Sequence, residues 1–236
     1  MELGEIIGDA LVYPFSNIKA LIIYMILGII LGIAVGGTIV GIAAGSAVHN
    51  AFAAVGSGIV GVIIAVILGF FINGYQLDIV KNGIQRSNMG PEIDFVRQFI
   101  NGIKYFVVVV VYMIVPIIIS AILGFIFQNW LSMVLSAIVG IIFALALIMS
   151  ECRLAKTEDL GYALSIGEAI GDISRVGIGK LVAFVVIVFI IIFVLFLVVG
   201  LINNANSTVG GILLGILGVY ITFFTGRATG LLYSDV

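Results

Sequence analysis

LVAFVVIVFIIIFVLFLVVGLI, residues 181–202, contains no charged residue and no proline, and only Gly200 interrupts its aliphatic and aromatic side chains. A bilayer hydrocarbon core of about 30 Å needs about 20 such residues in a helix, and this stretch meets that length. Five further apolar runs lie outward from it, at 20–48, 51–74, 105–127, 131–150 and 208–226. Within them no Lys, Arg, Asp or Glu occurs; Glu151 and Arg227 stand at exits. The reading is an all-α integral membrane protein of six transmembrane helices, paired as three hairpins.

Composition agrees. Of 236 residues, 63% are hydrophobic and 9% charged, and the mean hydropathy is +1.37. A water-soluble domain carries about a quarter charged residues, so lipid must be the solvent over most of this surface. Residues 1–236 read as a single membrane domain. The net charge of −2 supplies no basic stripe, which argues against a nucleic-acid partner. One cysteine, Cys152, and one histidine, His49, build neither a disulfide nor a metal site by themselves.

Orientation follows from the loops. Short turns join the spans at His49-Asn50, at Gln128 to Trp130 and at Asn203 to Ser207, whereas Tyr75 to Lys104 and Glu151 to Lys180 are long and charged. Every Lys and Arg, from Lys19 to Arg227, falls on the side of the long loops. The positive-inside rule makes that side cytoplasmic, with both termini on it. The expected location is the cell's cytoplasmic membrane. Tyr13, Tyr75, Tyr105 and Tyr162 are expected as anchors at the inner boundary, and Trp130 at the outer one. The acidic N-terminus, with Glu2, Glu5 and Asp9, does not read as a signal peptide.

Three segments have amphipathic helical spacing. Residues 2–14 align Leu3, Ile6, Ile7, Ala10 and Leu11 opposite Glu2, Glu5 and Asp9. Residues 92–103 align Phe95, Phe99 and Ile103 opposite Asp94, Arg97 and Gln98. Residues 166–177 align Ile166, Ile170 and Ile173 opposite Glu168, Asp172 and Arg175. Pro91 is expected at a first helical position, and Ser165 to Glu168 as a capping box. Each segment leads to a lysine (Lys19, Lys104, Lys180) and then a span. This predicts a threefold repeat over 1–75, 90–155 and 165–236. Two placements stay open for these segments: flat in the cytoplasmic interface, where three such helices would widen the inner leaflet like a wedge, or packed as a cap beneath the bundle.

Glycines supply the packing signal. Gly28, Gly32 and Gly36, then Gly37, Gly41 and Gly45, recur every four residues in span one, and Gly211 and Gly215 do so in span six. Small residues at that spacing let helix backbones approach closely in lipid, within one bundle or between subunits of a homo-oligomer. Span one is long enough that it must tilt, protrude or break, with Gly36-Gly37 the natural break. Pro116 predicts a kink in span three.

Residues suited to chemistry are scarce. The spans carry only Ser, Thr and Asn73 as polar groups, no catalytic set can be assembled around His49, and no cofactor is implied. Glu151, Glu158 and Asp159, near Arg153 and Lys156, read as a solvated ion-pair cluster. Asn206-Ser207-Thr208 matches a glycosylation sequon but abuts a span.

The exit of span two, Gly74-Tyr75-Gln76-Leu77-Asp78, is followed by a basic loop and a Phe-rich amphipathic segment. With the alternating apolar pairs, this resembles an archaeal multi-pass membrane family catalogued only as a domain of unknown function. The resemblance implies a membrane bundle and no activity. The expected function is therefore non-enzymatic, a self-associating protein that organises or shapes the lipid bilayer. Two alternatives remain: a channel or exporter for a small neutral or lipidic solute, and an accessory subunit of a larger membrane complex.

Overall fold

The computed structural model describes residues 1–48, 50–205 and 207–236. His49 and Asn206 lie outside the described residues, as do the side-chain surroundings of 51, 53, 54, 203–205, 207, 208 and 211. The readings placed on His49, Gly211 and the sequon therefore fall outside the description.

The described chain is helical. Helix α1 is Leu3–Ser16, α2 Ile18–Ala47, α3 Ala51–Ile84, α4 Phe95–Ile126 and α5 Trp130–Thr157. A single turn α6, Leu160–Ala163, precedes α7 Ile166–Val176, α8 Ile178–Ala205 and α9 Ser207–Tyr233. Six of these, α2, α3, α4, α5, α8 and α9, are long and apolar enough to cross a membrane, so the fold is that of an all-α multi-pass membrane protein. The pairs α2–α3, α4–α5 and α8–α9 pack as hairpins. In addition α3 packs on α4 and α9, α2 on α9, α1 on α9 and α7 on α5.

Several helices outrun their apolar stretches. α3 continues to Ile84 and α5 to Thr157, about ten and seven residues past the point where hydropathy falls. Hydropathy marks where a helix leaves lipid; where its charged exit finds partners, the backbone hydrogen bonds continue.

For the same reason residues 92–103 are not a separate interfacial helix. Asp94 caps α4 by accepting from the Arg97 amide at 3.1 Å, and α4 then runs straight on into its span. Pro91 precedes that cap in non-helical chain instead of opening the helix. Ser165 does precede α7, but its hydroxyl donates to the Gly161 carbonyl oxygen at 3.2 Å, so the expected capping box is absent. α2 is continuous through Gly36-Gly37, and α4 remains helical through Pro116.

The core sits at one end. Ile6, Ala10, Ile79, Val80, Met149 and Leu232 are almost fully buried, and all lie near the charged ends of their helices. Toward the opposite end Ile39, Phe125, Trp130, Met133 and Leu201 are exposed. So much exposed apolar surface is untenable in water and natural in lipid. We call the two ends the charged end and the outer end.

α1 and α7 belong to this core and cap the bundle at its charged end. Ile6, Ala10 and Tyr13 of α1, and Ala169 and Ile173 of α7, are buried by protein. Leu3, Ile7 and Ile166 pack half-buried against the same core. Ile170 is exposed, and on α4 Phe95 and Ile103 are exposed while Phe99 is half-buried. The expected apolar stripes of α1 and α7 thus mostly face the bundle, and only the α4 stripe is largely uncovered.

Candidate functional site: a cavity above a polar layer

Charged side chains meet in a polar layer at the charged end. Arg153 and Asp172, both essentially buried, pair at 3.1 Å across α5 and α7. Tyr233 Oη donates to Asp172 Oδ2 at 2.7 Å, and Arg175 Nη1 to Oδ1 at 2.6 Å. On α4, Arg97 reaches Asp78 of α3 at 3.1 Å. On α9, buried Arg227 grips Asp9 of α1 through Nε at 2.6 Å and through Nη2 at 3.2 Å. It also donates to Ser87 O and Asn88 Oδ1, closing the α3–α4 loop over the helix end.

A rule links the three pairs. The segments of α4 and α7 dock on the exit of the span preceding each, and α1 docks on the exit of α9. Asp9 meets Arg227, Arg97 meets Asp78 with the charges exchanged, and Asp172 meets Arg153.

The expected solvated cluster is not solvated throughout. Arg153 and Glu151 are buried, and Gln76 Nε2 donates to Glu151 Oε1 at 2.6 Å. Burial of charge is tolerable only with such partners. Lys156 and Asp159 are exposed, as expected, and Glu158 is half-buried. It accepts from Lys81 at 2.8 Å, while its backbone carbonyl accepts from Lys104 at 2.8 Å. The Lys81 ammonium holds the Glu158 carboxyl below the usual carboxylate range. Cys152 is a buried free thiol beside the Thr229 carbonyl. Among the described residues, no three His, Cys, Asp or Glu side chains come together as a metal site would need.

Of the four tyrosines expected at the inner boundary, Tyr13 and Tyr75 depart from expectation. Tyr75 is fully buried, stacked on Tyr24 with centroids 4.2 Å apart, and Phe223 closes against both rings. The Tyr24 hydroxyl donates to Gln98 Oε1, and Gln98 Nε2 donates to Asp78 Oδ2 at 3.0 Å. Tyr13 lies buried beneath Arg227, whose guanidinium sits 4.9 Å from its ring centre. Burial pushes its phenol up to about 12. These rings find protein partners because three helices converge there, which no one-dimensional spacing reveals.

Directly above this aromatic layer lies a cavity of about 540 Å³ between α2, α3 and α9. Glycines open it. Gly28 and Gly215 touch where α2 crosses α9: a methyl on Gly28 would stand 2.7 Å from the Gly215 carbonyl oxygen. Beyond that crossing, Gly32 and Gly36 leave space where larger residues would fill it, and Leu31, Val35 and Ile39 supply apolar wall. Among the described residues, Asn73 and Thr222 are the polar side chains on its lining. Thr222 donates to its own helix, at Gly218 O.

The other marked glycines serve differently. Gly41 packs on Ser57 of α3, Gly45 is buried, and Gly37 has nothing near it. Closer approaches involve glycines that sequence reading passed over: Gly74 and Gly102 abut the α4 and α3 backbones, and Gly83 meets Gly230 of α9. Gly74, Gly83 and Gly102 stand outside any four-residue series, and Gly230 follows Gly226 by four. Pro116 lines a second apolar cavity of about 430 Å³ between α4 and α5, with Tyr112 at its charged end.

A family model described as Protein of unknown function (DUF4013) matches residues 57–204. No curated protein and no solved structure matches the chain.

Proposed function

We propose that this chain, which belongs to the DUF4013 family, is a non-enzymatic multi-pass membrane protein that takes a lipidic solute from the bilayer for carriage or export. The observation that carries this reading is the glycine-opened cavity among α2, α3 and α9. Binding pockets for small molecules measure about 300–1,000 Å³ and are apolar with a few polar groups, and this cavity has that size and lining. The Tyr24, Tyr75 and Phe223 rings separate it from the polar layer, which favours admission from lipid over a water-filled pore.

Two features weigh against a membrane-shaping or self-associating role. α1 and α7 use their apolar faces on the bundle, leaving little wedge to insert. Gly28 and Gly215 contact each other within the chain, so that crossing is not spare surface for a second copy. In this reading the charged end faces the cytoplasm, because every Lys and Arg gathers there. The cyclic docking of amphipathic segments on span exits supports three related units over 1–75, 90–155 and 165–236.

Native mass spectrometry from a mild detergent tests the function. The expected result is a retained lipidic molecule that is lost in Gly32→Leu, where a side chain fills the cavity. Wild-type protein released empty, as a discrete self-assembly, would overturn the reading and favour membrane organisation.

A further inference from the structure

Asn73 is the anomaly of the cavity. Its side chain forms no hydrogen bond with any described residue, and its amide atoms are not sealed into protein. Its amide nitrogen lies 4.0 Å from where a side chain on Gly69 would begin, an ordinary contact distance that leaves the amide uncrowded. Thr38, Thr222 and Thr225 satisfy their hydroxyls on their own helix carbonyls; Asn73 does not. An amide without a partner inside an apolar site costs several kcal/mol in lipid.

The position of Asn73 gives the cavity a direction. One residue pair below it, Tyr75 stacks on Tyr24, so Asn73 lies on the floor nearest the charged end. From Gly28 to Ile39 along α2 the cavity wall extends about 16 Å toward the outer end, and Leu31, Val35 and Leu214 make that stretch apolar. Among the described residues, no Lys, Arg, Asp or Glu lines it. Asp78 lies beyond the aromatic layer and is engaged by Arg97 and Gln98.

We infer that the occupant is a neutral amphiphile, whose uncharged hydroxyl or carbonyl head hydrogen-bonds to Asn73 while its apolar chain extends toward Ile39. The inference rests on the lipidic-solute reading above and adds head chemistry and orientation. A carboxamide offers both donor and acceptor, so it serves a hydroxyl, an ester or an amide head. A charged head would be desolvated with no counter-ion at this depth, so ionised and phosphorylated amphiphiles are rejected.

The experiment uses full-length protein in phosphatidylcholine nanodiscs and three C18 probes: radiolabelled monoolein, oleate at pH 9 and 1-octadecene. Wild type is expected to bind monoolein tightest and oleate weakest. Asn73→Leu is expected to weaken monoolein by about three- to tenfold, the worth of one hydrogen bond, and to leave octadecene unchanged. Gly32→Leu is expected to abolish all three. The wild-type ranking needs no variant, so it decides even where Asn73→Leu does not fold. Octadecene or oleate binding as tightly as monoolein, or unchanged monoolein binding in a folded Asn73→Leu, would overturn the head assignment and leave the cavity's function standing. Failure of every probe on wild type would overturn both.

Discussion

Arg227 Nε donates to Asp9 Oδ1 at 2.6 Å, joining the last span to the first helix across 218 residues of chain. Arg227 is buried while Asp9 keeps about a third of its side-chain exposure, at 34%. Its loss leaves a buried guanidinium with only Ser87 O and Asn88 as neutral partners. Asp9→Asn is therefore expected to destabilise the protein by about 2 kcal/mol, less than a fully buried pair because water screens Asp9. Limited proteolysis should then cut within α1, with thermal unfolding in detergent as the quantitative readout. Unchanged protection would mean that α1 is held by its apolar face alone.

The Arg153–Asp172 pair is the more demanding one. Both side chains are buried, and Asp172 also receives Tyr233 and Arg175. Asp172→Ala leaves Arg153 uncompensated and should lower stability by about 3–5 kcal/mol. Arg153→Met combined with Asp172→Leu should recover a substantial part of that loss, because no lone charge remains. A double variant as unstable as Asp172→Ala would refute the electrostatic account.

The glycines of α2 divide by position. Gly28→Val collides with the α9 backbone at the Gly215 crossing, whereas Gly36 and Gly37 have no neighbour within 4 Å. Thermal unfolding should show a loss of several kcal/mol for Gly28→Val. Gly37→Ala should be neutral or slightly stabilising, because alanine is the better helix former by about 1 kcal/mol. If Gly37→Leu instead dissolved an oligomer in native mass spectrometry, that face would be a subunit contact.

Glu158 predicts a pH response. Lys81 lowers its folded pKa below the ordinary carboxylate value, so the folded state favours the ionised form. Its stabilisation is complete above the unfolded pKa of about 4.3 and is lost as pH falls through the lowered folded value. Thermal stability of wild type should fall over that acidic window. Glu158→Gln should start less stable at neutral pH and show a shallower acid decline. Parallel declines in the two proteins would place the sensitive group elsewhere.

Much of the architecture is legible because lipid imposes a simple requirement. Residues 181–202 must be a helix, since a run without charge that long has no alternative in a bilayer. The gathering of Lys and Arg at one end could likewise be read by position alone. The candidate site was only partly legible. The series Gly28, Gly32 and Gly36 signalled close packing, but the spacing could not say that Gly28 would meet Gly215 while Gly32 and Gly36 opened a cavity. Asn73, one amide among many apolar residues, carried no signal until α2 and α9 stood opposite it.

The polar layer was legible least. Arg153 and Glu151 read as solvated because exit segments usually meet water, and Tyr75 as an interface anchor because of its depth. Asp172 of α7 and Tyr162 of α6 close over Arg153, and Tyr24 and Phe223 bury Tyr75. By itself, then, the sequence determined the spans, their pairing and the collection of charge at one end. These follow from the transfer of side chains between water and lipid, which each residue undergoes nearly independently. Tertiary structure alone decided which Asp meets which Arg, which glycines touch and where the cavity opens. Those depend on side chains from two or three helices arriving at one point, across separations as long as that between Asp9 and Arg227.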